Sequence, residues 1–192
     1  MRAIGTVKSA AVGKTVSAIG AGDWTKGKAD AKVILIEYGD FQCPACGTYY
    51  PMMRQIVEEY GDRILFAFRE YPLGTIHPYG NLAAQAAESA GVQGKFWEMY
   101  DQLYDNQQSW SRGDDVKKTF ADYAQTIGID VTRWQQDLES AAVKSKITTD
   151  VAGGDAGGVD GTPSFYLNNV KVENPKSVEG FRTLLDEALS SS

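Results

Sequence analysis

Phe41-Gln42-Cys43-Pro44-Ala45-Cys46 follows closely on the apolar run Val33-Ile34-Leu35-Ile36, and its two cysteines are the only ones in the chain. A strand that leads into Cys-x-x-Cys and then opens a helix is the sequence form of a thiol redox site. The helix N-terminus supplies partial positive charge and free backbone N–H groups. Both favour a thiolate at the first cysteine, the species that attacks a disulfide.

Two other readings of a cysteine pair fit less well. A closed structural zinc site needs four ligands, and the one further soft-ligand candidate is the single His77. Two cysteines and one histidine fall short unless a second chain or a carboxylate joins them. A purely structural disulfide across two intervening residues removes little unfolded-chain entropy, so it would be a weak staple for 192 residues. The residues thus call for no metal and no bound cofactor, the redox group being the Cys43–Cys46 pair itself.

Working outward, Val33 to Tyr38 is a short β-branched run without helical period, which predicts a buried strand. Pro44 suits the first turn of the next helix, where its missing N–H costs nothing. Met53, Ile56, Val57 and Tyr60 give that helix its apolar stripe, Pro51 should kink it, and Gly61 should end it. Arg63 to Phe68 reads as a second strand. Strand, helix, strand makes one βαβ unit with the cysteines at the carboxyl edge, where open α/β sheets place their sites.

Residues 80–152 then change character. Four apolar stripes follow one another: Leu82 to Ala90, Phe96 to Tyr104, Val116 to Ile127, and Val131 to Ala142. Four helices are too many for one crossover, so this stretch reads as a helical insertion. The sheet resumes as a hairpin, Ser164 to Leu167 and Val170 to Val172 around Asn168-Asn169, and Val178 to Leu189 forms a last amphipathic helix. The expected organisation is a flexible leader over 1–28, an α/β domain over 29–79 and 153–192, and a helical insertion over 80–152.

Composition excludes several function classes. A net charge of −6 and a sequence pI near 4.8 give no basic face for nucleic acid. No run approaches the 18 or so apolar residues of a membrane span. The N-terminus lacks the charged, apolar and small-residue regions of a signal peptide. Gly13-Lys14-Thr15 suggests a phosphate loop, but the glycine needed five positions earlier is Lys8. The glycine-rich stretch 153–158 fails dinucleotide spacing and reads as a flexible connection. His77, beside Pro78, reads as a helix-start or packing residue.

Several motifs together resemble the DsbA-like thiol–disulfide oxidoreductases of the thioredoxin superfamily. They are Glu37-Tyr38-Gly39-Asp40-Phe41-Gln42-Cys43-Pro44-Ala45-Cys46, Tyr71-Pro72-Leu73 with His77-Pro78, Gly94-Lys95-Phe96-Trp97, and Gly158 to Phe165 including Gly161-Thr162-Pro163. The resemblance implies a thioredoxin fold carrying an inserted helical domain, over about residues 24–190.

It also implies roles. Cys43 would be the solvent-facing nucleophile and Cys46 the buried resolving thiol. Thr162-Pro163 would form a cis-proline loop that offers backbone groups to the substrate. Glu37 would be a buried acid beneath the cysteines, able to relay the proton of Cys46. Pro44 and Ala45, between the cysteines, would tune the potential. Ala45 stands where the strongest oxidants of the family carry histidine, which implies an intermediate potential.

The activity implied is oxidation of exported proteins, with disulfide reduction or isomerisation, or chaperone-like holding of unfolded chains, as alternatives. Implied partners are reduced or unfolded protein substrates and a membrane quinone-linked reoxidant, with the protein a monomer that binds no nucleic acid. The implied location is extracytoplasmic, with the export signal or anchor absent from this sequence.

Overall fold

A computed structural model describes residues 13–191. Strands β1 (Trp24–Gly27), β2 (Val33–Gly39), β3 (Ile64–Glu70), β4 (Ser164–Leu167) and β5 (Val170–Lys171) form one sheet in the order β1-β3-β2-β4-β5. The central β2–β3 pair is parallel and the others are antiparallel. Helix α1 (Pro44–Tyr60) makes the crossover between β2 and β3. Pro51 lies within it, and the helix runs unbroken past it.

Alternation along β2 decides which side each residue faces. Val33 and Leu35 pack with Met53, Ile56, Phe165, Phe181 and Leu185, a core closed by α1 and α8 (Val178–Ser190). Ile36 and Tyr38 point the other way, toward Ala67 and Tyr166. The same period places Glu37 on the α1 side, beneath the helix start. The β4–β5 turn has Asn168 at φ 48° and Asn169 at φ 69°, the left-handed pair a two-residue hairpin of this hand requires and asparagine tolerates.

Six helices separate β3 from β4: α2 (Gly80–Val92), α3 (Phe96–Asp105), α4 (Gln107–Trp110), α5 (Val116–Thr126), α6 (Val131–Asp137) and α7 (Ala141–Gly157). Phe96, Met99, Tyr100, Leu103 and Tyr104 of α3 are all buried, as their spacing predicts. They form a second core with Phe41, Phe68, Trp110, Phe120 and Trp134. The expected α/β fold with a helical insertion between its sheet segments is the fold observed.

Three details differ from expectation. The stripe Val131 to Ala142 is two helices, because Ser140 caps α7 by accepting from the Val143 N–H at 3.3 Å. The glycine-rich stretch from 153 is no flexible connection, since α7 continues through Gly157. Its glycines are close-packing notches: a Cβ at Gly154 would lie 2.7 Å from the Tyr71 ring, and one at Gly157 would lie 2.3 Å from Val16.

The leader over 1–28 is also ordered over much of its length. Trp24–Gly27 is a sheet strand paired to β3, and Trp24 stacks on Phe96 at 4.7 Å and donates to Glu88 at 2.9 Å. Asp23 binds the buried Arg69 at 2.7 Å, and Arg69 also donates to the carbonyls of Ser17 and Ala18. Residues 1–12 of that stretch lie outside the described residues.

Candidate active site

Strand β2 ends at Gly39, and four residues carry the chain to α1. Cys43 is the N-cap residue of α1 (φ −68°, ψ 120°), and Pro44 follows it in the first turn. Three polar side chains hold this loop. Asp40 accepts from the Gln42 N–H at 2.8 Å, and Gln42 Oε1 accepts from the Tyr79 N–H at 2.6 Å. From α4, Gln107 Nε2 donates to the carbonyls of Phe41 and Cys43 at 2.7 and 2.8 Å. The cysteine backbone is therefore fixed from two sides before any substrate arrives.

Both cysteines are free thiols in this structure. Cys43 is 7% exposed and Cys46 is fully buried, so the entering sulfur has one target. The target is narrower than a solvent-facing cysteine implies. Pro44 and Ala45, between the two sulfurs, are exposed. Across from them Thr162-Pro163 is a cis peptide bond, and the Thr162 carbonyl lies 3.3 Å from Cys43 Sγ. Asn174 Nδ2 donates to the Pro163 carbonyl at 2.7 Å and ties this loop to the chain after β5.

Electrostatics separate the two thiols. The Cys46 thiol donates to the Cys43 sulfur and does most to hold Cys43 down to about 5, against the opposing effect of burial. Thr162 and the backbone N–H groups of Cys46 and Ala45 act in the same direction. The carbonyl contact at 3.3 Å belongs to the protonated thiol. Once the proton leaves, the Thr162 hydroxyl, which has no hydrogen-bond partner among the described residues, can donate to the thiolate.

Cys46 moves the other way. Burial raises it well above 9.0, with the hydrogen bond to Cys43 and the Glu37 charge adding to the rise. Glu37 is itself buried, has one carboxylate oxygen without a partner among the described residues, and is pushed up to about 8 by burial and then by the Cys43 charge. The fold thus brings Cys43, Cys46, Glu37, Thr162 and Pro163 to one place from β2, α1 and the loop before β4.

The sequence reading missed Asp40, Gln42, Gln107 and the place of His77. Helix α2 starts three residues after His77, whose ring instead meets Asp40 Oδ2 at 2.6 Å. Apart from the local Asp40–Gln42 contact, these partners lie 37 to 66 residues apart along the chain, so no local pattern marks them. Among the described residues, no group of three or more His, Cys, Asp or Glu is arranged to hold a metal ion.

The thioredoxin family model matches residues 21–187, which spans the sheet, the helical insertion and the cysteine loop. The chain belongs to the thioredoxin family. Its fold is similar to that of BdbD from Bacillus subtilis, with a TM-score of 0.80 at 22% identity, covering 94% of this chain and 98% of that one. It is also similar to the thiol-disulfide exchange protein alpha-DsbA2 from Wolbachia pipientis, with a TM-score of 0.75 at 19% identity and 88% of both chains covered.

A curated relative, the Na(+)/H(+) antiporter NhaA 3 of Salinispora tropica, is 33% identical over 170 residues. Those residues are 88% of this chain and 25% of the antiporter, so the chain spans about a quarter of the curated relative's length. Among the described residues no helix is long and apolar enough to cross a membrane. Family and fold agree with the DsbA-like resemblance drawn from the motifs.

Proposed function

We propose that this protein is a thiol–disulfide oxidoreductase working as an oxidase, which passes the Cys43–Cys46 disulfide to reduced cysteines of protein substrates. The observation that carries the proposal is the divergence of the two thiols, with Cys43 held down to about 5 and Cys46 raised well above 9.0. A stabilised Cys43 thiolate stabilises the dithiol form, which makes the disulfide form the better oxidant. It also makes Cys43 the better leaving group when a second substrate thiol resolves the mixed disulfide.

In this reading Glu37 takes or returns the Cys46 proton, and the Thr162-Pro163 loop holds the substrate backbone beside Cys43. Pro44 and Ala45 leave the thiolate with backbone N–H donors and no side-chain cation between the cysteines, which supports an intermediate rather than an extreme potential. The protein works as a monomer outside the cytoplasm, and a quinone-linked membrane protein restores its disulfide. The test is oxidation of a reduced, unfolded two-cysteine protein by the purified disulfide form. One substrate disulfide should form per protein, and Cys43→Ser should abolish it. If Cys43→Ser retains the full effect on substrate folding, the protein is a binder of unfolded chains instead.

A further inference from the structure

Stabilising the Cys43 thiolate speeds the second half of the exchange and does nothing for the first. In the first half the nucleophile is the substrate thiol, which near neutral pH is mostly protonated, since free cysteine ionises at about 8.5. Neither residue between the cysteines carries a proton-accepting side chain, and Glu37 is buried beneath them. A base on the open side of Cys43 would meet that need.

His77 shares a groove with Pro44, the residue next to Cys43. It lies in the loop between β3 and α2, and its Nδ1 is 2.6 Å from Asp40 Oδ2. The Asp40 side chain is fully buried, and its oxygens also accept from the Gln42 and Leu73 N–H groups, each at 2.8 Å. A carboxylate oxygen accepts, so Nδ1 carries a proton, and in the neutral imidazole Nε2 is then the acceptor. Among the described residues Nε2 has no partner.

The ring keeps 13% of its surface exposed and lines a groove of about 1120 Å³ together with Gln42, Pro44 and Gly47, which flank the cysteines. The charged and titratable groups sharing this groove are Asp105, Arg112 and Tyr104, and burial keeps the Tyr104 hydroxyl protonated.

We propose that His77 is a catalytic base for the incoming substrate thiol, with Asp40 as its positioning residue. The inference rests on thiol–disulfide exchange at Cys43. Nε2 takes the proton of the substrate thiol as its sulfur attacks Cys43 Sγ of the disulfide form. A bond forms between those two sulfurs, and the Cys43–Cys46 bond breaks. Its electron pair stays on Cys46 Sγ, which takes the proton of the buried Glu37 carboxyl because burial disfavours the Cys46 thiolate, and Glu37 regains a proton from water. Substrate and Cys43 are then joined as the mixed disulfide, and the His77 proton returns to water.

Rapid mixing of the disulfide form with a reduced single-cysteine peptide tests this, followed from about pH 6 to about pH 9.5 in wild type, His77→Asn and His77→Ala. Asparagine keeps an N–H for Asp40 and offers nothing at the Nε2 position, so it separates base from anchor. Both variants should react about tenfold more slowly or worse at about pH 6.5 and approach wild type above about pH 9, where the peptide is already a thiolate. Their reduction potentials should match that of the wild type. The proposal is overturned if His77→Asn behaves as wild type at low pH, or if both variants are slowed by one factor at every pH. A potential in the reductase range would overturn the oxidase reading and leave this comparison intact, since exchange in either direction begins with a thiol.

Discussion

At the scale of single residues, the protonation states of Cys43 and Glu37 oppose each other. Cys43, depressed from 9.0 to about 5, adds stability to the dithiol form that is fully present above pH 9.0 and is lost as pH falls through about 5. Glu37, raised from 4.5 to about 8, stabilises only while protonated. Its contribution is whole below pH 4.5, and it is eroded as pH rises until the carboxyl ionises in the fold near 8. Glu37→Gln should therefore stabilise the protein by about 3 kcal/mol at pH 7, measured by urea unfolding, and by little or nothing at about pH 4. An equal gain at both pH values would remove Glu37 titration as its source.

At the scale of elements, the active-site loop depends on a contact between α1 and α4. A Cβ on Gly47 would lie 2.2 Å from Gln107 Oε1, so Gly47→Ala should push Gln107 off the Phe41 and Cys43 carbonyls. Leaving a buried carbonyl unpaired costs about 1–3 kcal/mol, whereas alanine gains up to about 1 kcal/mol over glycine inside a helix. The substitution should destabilise the native protein yet stabilise the Gln107→Ala variant, and thermal unfolding of the four proteins reads the change of sign. The same contact marks what sequence could reveal. The β2 run, the α3 stripe and the Asn168-Asn169 turn were legible because period and turn chemistry are local. Four-residue α4 is too short to show a period. Strand β1 has no apolar alternation, because Trp24 is held by β3, Phe96 and Glu88 rather than by its own sequence. Cysteine spacing marked Cys43 and Cys46 and the family resemblance pointed to the proline loop, whereas Gln107, and Asp40 in its contacts with Leu73 and His77, act on groups distant in sequence.

At the scale of the whole molecule, the segment before β2 joins the sheet to the helical insertion. Trp24 pairs with β3 while touching α2 and α3, and the Asp23–Arg69 pair, 8% and 4% exposed, anchors it. Asp23→Ala leaves the guanidinium buried without its carboxylate and should cost about 3–5 kcal/mol, seen as a lowered Tm. Wild-type stability in that variant would mean the pair is not the anchor. Sheet and insertion together place Cys43 between the Thr162 carbonyl and the α4 amide, and the redox balance of that site is a property of the entire fold. Equilibrating the protein in graded glutathione buffers and trapping free thiols gives the Cys43–Cys46 reduction potential directly. The oxidase account predicts a value at or above about −180 mV, in the range of disulfide-forming catalysts, and a value near −270 mV, the thioredoxin range, would contradict it.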